Sequence, residues 1–298
     1  MELKQAKGNT WYLEDWQLIP LYKVDEHRCI LLDAGMTDQC QAMEECLHAA
    51  GLTPIGILCS HAHNDHSSNC RYFQQTYHIP VAMSMGEAAI CCTEGNLKAY
   101  YFMSSLEEFR ANDRVNQMQV RADQVIWPED EVFSFCGVEF GIVHTPGHSP
   151  DHICVRTPDD VLYLADALLT GEALTAAKLP FHLIFRQAIQ SMELLKTQPA
   201  SLYLAAHRGL YEDLGGMIED NIARIRDRAE RIAALVGEPI HLSELNLRVC
   251  RAFDLHSPTK GAVDLYERNV RAYLEYLKDE EMVEPITRDG IFYYKARE

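Results

Sequence analysis

Residues 61–66 read His-Ala-His-Asn-Asp-His, directly after the short apolar run Ile55–Ser60. No other stretch constrains the chain as strongly. Imidazole and carboxylate are the ligands that a borderline divalent metal prefers, and ligands this dense need a rigid support. A strand supplies it. With the HxH at a strand's end, alternate side chains share a face, so His61 and His63 reach one ion while Asp65 and His66 turn toward a second. Three more strand ends answer the motif. His148 stands in Thr145-Pro146-Gly147-His148-Ser149 after the strand Val138–His144, Asp166 ends the strand Val161–Ala165, and His207 ends the strand Leu202–Ala206. Loops carried by a rigid sheet are where binding groups concentrate.

Around these points the chain reads as short apolar strands alternating with amphipathic helices. Strands are expected at Trp11–Glu14, Leu18–Lys23, a buried run Arg28–Gly35 that ends in a turn, Ile55–Ser60, Ile79–Ser84, Gln124–Trp127, Glu131–Phe135 and His152–Arg156. Helices are expected from Thr37 or Asp38 to Ala50, then at Ser67–Tyr77, Phe181–Thr197 and Tyr211–Val236. Residues 86–124 read as a helical insertion carrying the aromatic stretch Tyr100-Tyr101-Phe102, placed either as a lid or as packing. After Gly237 come two helices, Leu242–Phe253 and Val263–Leu277, and a hairpin with Asp289-Gly290 at its tip. That order outlines a winged helix.

Taken together, Asp33 in Leu-Leu-Asp-Ala-Gly, the HxHxDH of residues 61–66, His148, Asp166 and His207 resemble, in order, the motifs of the metallo-β-lactamase-fold hydrolases, over about residues 10–235. The resemblance implies an α+β fold, an αββα sandwich with a two-metal site along one edge. By the same resemblance His61, His63 and His148 hold the first metal, Asp65, His66 and His207 hold the second, and Asp166 bridges them. Asp33 orients a ligand histidine, and Asp65 also orients the attacking group and relays its proton. Two divalent ions, zinc first and iron or manganese as substitutes, would turn a bridging water into the hydroxide that attacks an electrophilic carbonyl or phosphorus. The oxygen- and nitric oxide-reducing diiron relatives carry a glutamate where this chain has His63, which sets redox chemistry aside.

The tail resembles the winged-helix-like C-terminus of a subgroup that includes an RNA-cleaving mitochondrial enzyme, through the stretch Arg268–Leu277. The domains are therefore read as residues 1–236, catalytic, and 237–298, a small winged-helix-like appendage. A nucleic-acid reader needs a basic recognition helix. Here Arg268, Arg271 and Lys278 are offset by Glu267, Glu275, Asp279, Glu280 and Glu281, and the whole chain carries a net charge of −17. Such a body repels phosphate backbones. The tail is read instead as a structural cap or a homodimer surface.

No apolar run reaches the roughly 20 residues that span a bilayer, and the start Met1–Gly8 has no signal-peptide h-region. The expectation is a cytoplasmic protein whose ten cysteines are buried free thiols. The leading functional reading is a dinuclear metal-dependent hydrolase of a small ester, thioester or lactone. A metal-dependent nuclease acting on RNA or DNA and a non-catalytic binding protein on the same fold are the alternatives. Beside the motifs, His144 and His152 flank the His148 loop, and Phe181-His182 and Arg208 are candidate pocket residues.

Overall fold

The computed structural model describes residues 1–207 and 209–297. Four antiparallel strands open the chain: β1 (Glu2–Lys7), β2 (Thr10–Glu14), β3 (Leu18–Lys23) and β4 (Arg28–Leu32). After a 3₁₀ turn at Thr37–Gln39 and helix α1 (Cys40–Ala49), β5 (Thr53–Cys59) runs parallel to β4. Helices α2 (Asn64–Ser67) and α3 (Cys70–Tyr77) lead to β6 (Val81–Ser84). Four short helices, α4 (Met85–Cys91), α5 (Glu94–Tyr100), α6 (Leu106–Ala111) and α7 (Asp113–Asn116), precede β7 (Gln124–Ile126), which closes a first sheet in sequence order.

The second sheet contains β8 (Val132–Phe135), β9 (Val138–His144), β10 (Ile153–Arg156), β11 (Val161–Ala165), β12 (Leu202–Ala205) and β13 (Gly209–Tyr211), in the order β13-β12-β11-β10-β9-β8. Helices α8 (Gly171–Ala176) and α9 (Phe185–Leu195) cross between β11 and β12, which are parallel. Helices α10 (Met217–Val236), α11 (Leu242–Ala252) and α12 (Lys260–Asp279) follow, and the chain ends in the hairpin β14 (Val283–Arg288) and β15 (Ile291–Ala296). At the hairpin tip Asp289 and Gly290 both have positive φ, 49° and 77°, as a tight turn matched to the strands' twist requires.

The period-2 alternation of the strands builds the layers. On β4, Ile30 and Leu32 face the second sheet, while Cys29 and Leu31 face α1 and α3. On β11, Tyr163 and Ala165 face the first sheet, while Leu162 and Leu164 face α9 and α10. Strands covered on both faces read as unbroken apolar runs, and β4 and β11 do. The result is the αββα sandwich, its two sheets packed face to face with helices outside.

Four elements depart from the sequence expectation. Residues 2–7 form an edge strand, although Glu-Leu-Lys-Gln-Ala-Lys shows little apolar alternation; charged edge strands are common because one side meets water. The helix expected from Tyr211 begins at Met217, since residues 209–211 pair with β12 and Gly215-Gly216 intervene. Residues 171–176 form the short helix α8, for which no element was expected. The helix expected from Phe181 begins at Phe185, because residues 181–184 bond to the His148 loop.

The tail adds its apolar faces to an existing core. Val270, Tyr273, Leu274 and Leu277 of α12 join Phe185 of α9 and Ile222, Ile225 and Ile232 of α10 in one continuous cluster. Phe185 and Tyr273 stack with ring centroids 4.1 Å apart. All ten cysteines are free, as expected, but only Cys29, Cys59, Cys70, Cys91 and Cys154 are buried; Cys40, Cys46, Cys136 and Cys250 are half-buried and Cys92 is exposed. No helix among the described residues is long and apolar enough to cross a membrane.

Candidate metal centre

The site lies at the ends of β5, β9, β11 and β12, where strands give way to loops. Asp33 (φ 76°), just after β4, and Ala165 (φ 44°), just before Asp166, are non-glycine residues with positive φ. Such strain costs on the order of 1–3 kcal/mol and persists where surrounding structure holds it. The β11–β12 register also shifts between Tyr163 and Ala165, which re-aims the next side chain, Asp166. In the His148 loop Gly147 has φ 128°, and a Cβ there would lie 2.1 Å from the backbone nitrogen of Ala188. Only glycine lets that loop sit against α9.

All seven expected ligand side chains converge, in two groups whose donor atoms lie within 4.8 Å of one another: His61, His63, His148 and Asp166, then Asp65, His66, Asp166 and His207. In the first, His63 Nδ1 is 3.1 Å from His61 Nε2 and 2.9 Å from His148 Nε2, and His148 Nε2 is 3.3 Å from Asp166 Oδ2. In the second, Asp166 Oδ1 is 3.3 Å from both His66 Nε2 and His207 Nε2, with Asp65 Oδ2 at 3.5 and 3.6 Å from those nitrogens. Asp166 thus gives one oxygen to each group. Ligand nitrogens around a tetrahedral zinc ion stand about 3.3 Å apart, so these spacings suit one ion per group.

Four of the five histidines, His61, His63, His66 and His148, have the outward nitrogen engaged from behind. Asp33 Oδ2 accepts from His66 Nδ1 at 2.7 Å, and the Phe181 carbonyl accepts from His148 Nδ1 at 3.2 Å. Ser60 Oγ lies 3.0 Å from His61 Nδ1, and Tyr100 Oη 3.0 Å from His63 Nε2. These contacts aim the remaining nitrogens inward. There, His66 Nε2 and Asp166 Oδ1 are buried without a hydrogen-bond partner among the described residues. An orphaned imidazole nitrogen and carboxylate oxygen side by side are costly unless something fills them, and a divalent cation fits that donor set.

The electrostatics agree. Burial holds His61, His63 and His148 in their neutral form, with pKa values below the usual imidazole range. Burial also opposes charge on His66, but Asp65, Asp166 and Asp33 outweigh it and raise its pKa. Burial works against ionised Asp166 and Asp65 as well, yet the neighbouring histidines pull both below the usual carboxylate range. A field that favours a proton at His66 favours any cation there.

Several supporting residues were not singled out in the sequence. Glu87 on α4 is fully buried; it accepts from Ala62 N at 2.7 Å, Ser149 Oγ at 2.6 Å and Asp151 N at 2.8 Å, tying the HxH loop to the His148 loop. Tyr163 donates to Asp33 Oδ2 at 2.6 Å, and Ser60 N and Oγ reach Asp33 at 2.6 and 2.7 Å. Glu87 sits inside the helical insertion, and its neighbours are distant in sequence, so no spacing marks it. Of the other candidates, His152 accepts from Asp166 N at 3.2 Å, His144 turns away toward the Asp130 carbonyl, and His182 is buried beside His148. The Phe181 ring lies 5.9 Å from His63 and 6.0 Å from His148. Arg208 lies outside the described residues.

A cleft of about 520 Å³ opens beside His207, walled by Trp16, Thr170, Ala173, Ala176 and Tyr211. Trp16 stacks on the His207 ring at 5.9 Å. A cleft of about 600 Å³ at the N-terminal edge, near Met1, Glu14 and Leu210, contains none of the seven ligands.

The pattern that describes the metallo-beta-lactamase superfamily matches residues 18–207. The chain is 26% identical over 147 residues to the acyl-coenzyme A thioesterase MBLAC2 of Homo sapiens, which covers 47% of this chain and 50% of that protein. It is 24% identical over 153 residues to the probable metallo-hydrolase YqgX of Bacillus subtilis, covering 51% of this chain and 64% of that one. The chain spans about half the length of the MBLAC2 relatives it matches. Among solved structures, a beta-lactamase domain protein from Burkholderia ambifaria superposes with a TM-score of 0.70 at 15% identity, covering 99% of this chain and 93% of that one. A metallo-beta-lactamase family protein from Thermus thermophilus gives 0.68 at 21% identity, covering 94% of each.

Proposed function

Because this chain belongs to the metallo-beta-lactamase superfamily, we propose that it is a dinuclear metal-dependent hydrolase of small thioesters, with esters and lactones as chemical cousins. One observation carries the reading: Asp166 offers a separate oxygen to each of two ligand groups. His61, His63 and His148 would hold one divalent ion, Asp65, His66 and His207 the other, and Asp166 both. The imidazole and carboxylate set suits zinc best, with iron or manganese compatible. When bound, such a pair activates water as a nucleophile and polarises the acyl carbonyl.

The chain's own residues do the rest. Asp33 fixes the His66 ring so that Nε2 faces inward. Asp65, whose pKa the neighbouring histidines lower and which is partly exposed, would orient the attacking water and take its proton. The cleft walled by Trp16, Ala173 and Ala176 receives the apolar acyl portion. The similarity to MBLAC2, which its name describes as an acyl-coenzyme A thioesterase, supports thioesters over other acyl compounds. The net charge of −17 weighs against the nuclease alternative.

The test is a panel of acyl thioesters, simple esters and lactones, with and without chelator. Thioester turnover that chelator abolishes and zinc restores is the expected result. Turnover of RNA but of no acyl compound would overturn it.

A further inference from the structure

The tail contributes a residue to the neighbourhood of the centre. Arg268 of α12 is 7% exposed, and its Nε and Nη2 have no hydrogen-bond partner among the described residues. Its guanidinium lies 4.4 Å from the Tyr100 ring centre and 4.8 Å from that of Phe181, with Tyr101 and Phe102 each at 5.8 Å. Tyr100 and Phe181 are the same rings that touch His63 and His148. One side chain therefore separates this cation from the ligand histidines.

Aromatic faces compensate part of the cost of burying a cation, but they leave Nε and Nη2 unfilled. Nearby acids are engaged elsewhere: Glu267 with Arg271 at 2.9 Å, and Glu108 and Asp264 with Lys260. Arg268 lines a cavity of about 120 Å³ with Tyr101, Met103, Val115 and the carboxylates Glu108 and Asp264, and a cleft of about 390 Å³ with Phe102, Arg271, Asp264 and Glu267, the acids being those paired with Lys260 and Arg271. Open in-plane donors of a guanidinium match the paired oxygens of a carboxylate or phosphate. In a chain of net charge −17, an anionic substrate needs such a local cation.

We propose that Arg268 is an anion-recognition residue that binds a carboxylate or phosphate group carried by the substrate. The inference rests on the hydrolase reading above and deepens it: the substrate is a thioester bearing an anionic group, held between α12 and the helical insertion.

The test uses matched acetyl thioesters: pantetheine against 4′-phosphopantetheine, and N-acetylcysteine amide against N-acetylcysteine. The wild-type chain is expected to favour the anionic member of at least one pair. In Arg268→Met the anionic-to-neutral ratio of kcat/KM falls by about tenfold or more, mainly through KM, as loss of a charged hydrogen-bonded pair implies. Arg268→Lys retains part of the preference and serves if the Met variant does not fold. The pair whose ratio falls tells phosphate from carboxylate. Equal losses on both members, or an unchanged ratio, would overturn the proposal. Independently of turnover, sulfate should raise the melting temperature of the metal-loaded wild-type chain and not of Arg268→Met. Equal stabilisation of both would also overturn it. An Arg268-dependent sulfate effect in a chain that cleaves no thioester would support the anion site and sink the hydrolase reading instead.

Discussion

Asp33 accepts a hydrogen bond from His66 Nδ1 at 2.7 Å while also receiving Tyr163 Oη at 2.6 Å and both Ser60 donors. The carboxylate is 1% exposed and stands behind the histidine. On the proposed reading, its effect on chemistry would pass through the aim of the imidazole.

Asp33→Asn keeps the shape and loses the charge. Metal affinity should fall by about 10–100-fold, the usual loss when a partner behind a ligand histidine is removed. Zinc titration with a competing chelator measures it. Asp33→Ala should additionally destabilise the chain by roughly 3–5 kcal/mol, because buried donors lose their acceptor.

Glu87 receives three donors and contributes none. Glu87→Gln places an amide NH₂ against one of them. The expected cost is about 1–3 kcal/mol of stability, with weaker metal binding because the His61–His63 and His148 loops lose their shared anchor. Denaturant unfolding and metal titration on the same variant check both effects.

His182 is buried with Nδ1 unpartnered among the described residues, and burial lowers its pKa to about 3 from an unfolded value of 6.5. Between those values the unfolded chain binds the extra proton. Stability from this group is therefore full above pH 6.5 and lost as pH falls toward 3. His182→Leu should flatten the acid side of the melting-temperature curve and leave the neutral side nearly unchanged. An equally steep acid limb would contradict this.

Phe185 joins α9 to α12 through Tyr273 at 4.1 Å. Phe185→Ala should cost about 3–5 kcal/mol, measured by chemical unfolding. By the same reasoning, a chain ending at Val236 would expose the α9 and α10 faces that α12 covers and should aggregate. A soluble, cooperatively folding 1–236 fragment would show that the tail is not part of the core.

The candidate ligand set was legible because its chemistry is written locally: HxHxDH is contiguous, Asp166 and His207 directly follow apolar runs, and His148 stands in a Thr-Pro-Gly turn after a strand. The two-sheet sandwich came from the resemblance those motifs carry, and the unbroken apolar runs of β4 and β11 agree with it. Arg268 was not. On α12 it sits among acidic residues and reads as one surface charge among several, and only the fold brings Tyr100 and Phe181 around it. Glu87 was hidden likewise, with partners 25 and more positions away. The late start of α10 was signalled by Gly215-Gly216, whose weight a helical period starting at Tyr211 concealed.

The central claim is that one carboxylate, Asp166, serves two metal positions. Elemental analysis of the purified, zinc-reconstituted chain beside His207→Ala and Asp166→Ala tests it most directly. About two ions per wild-type chain are expected, about one in His207→Ala, and clearly fewer than two in Asp166→Ala, since both groups lose an oxygen ligand while His61, His63 and His148 still suit one zinc ion. Wild-type metal content in Asp166→Ala would contradict it.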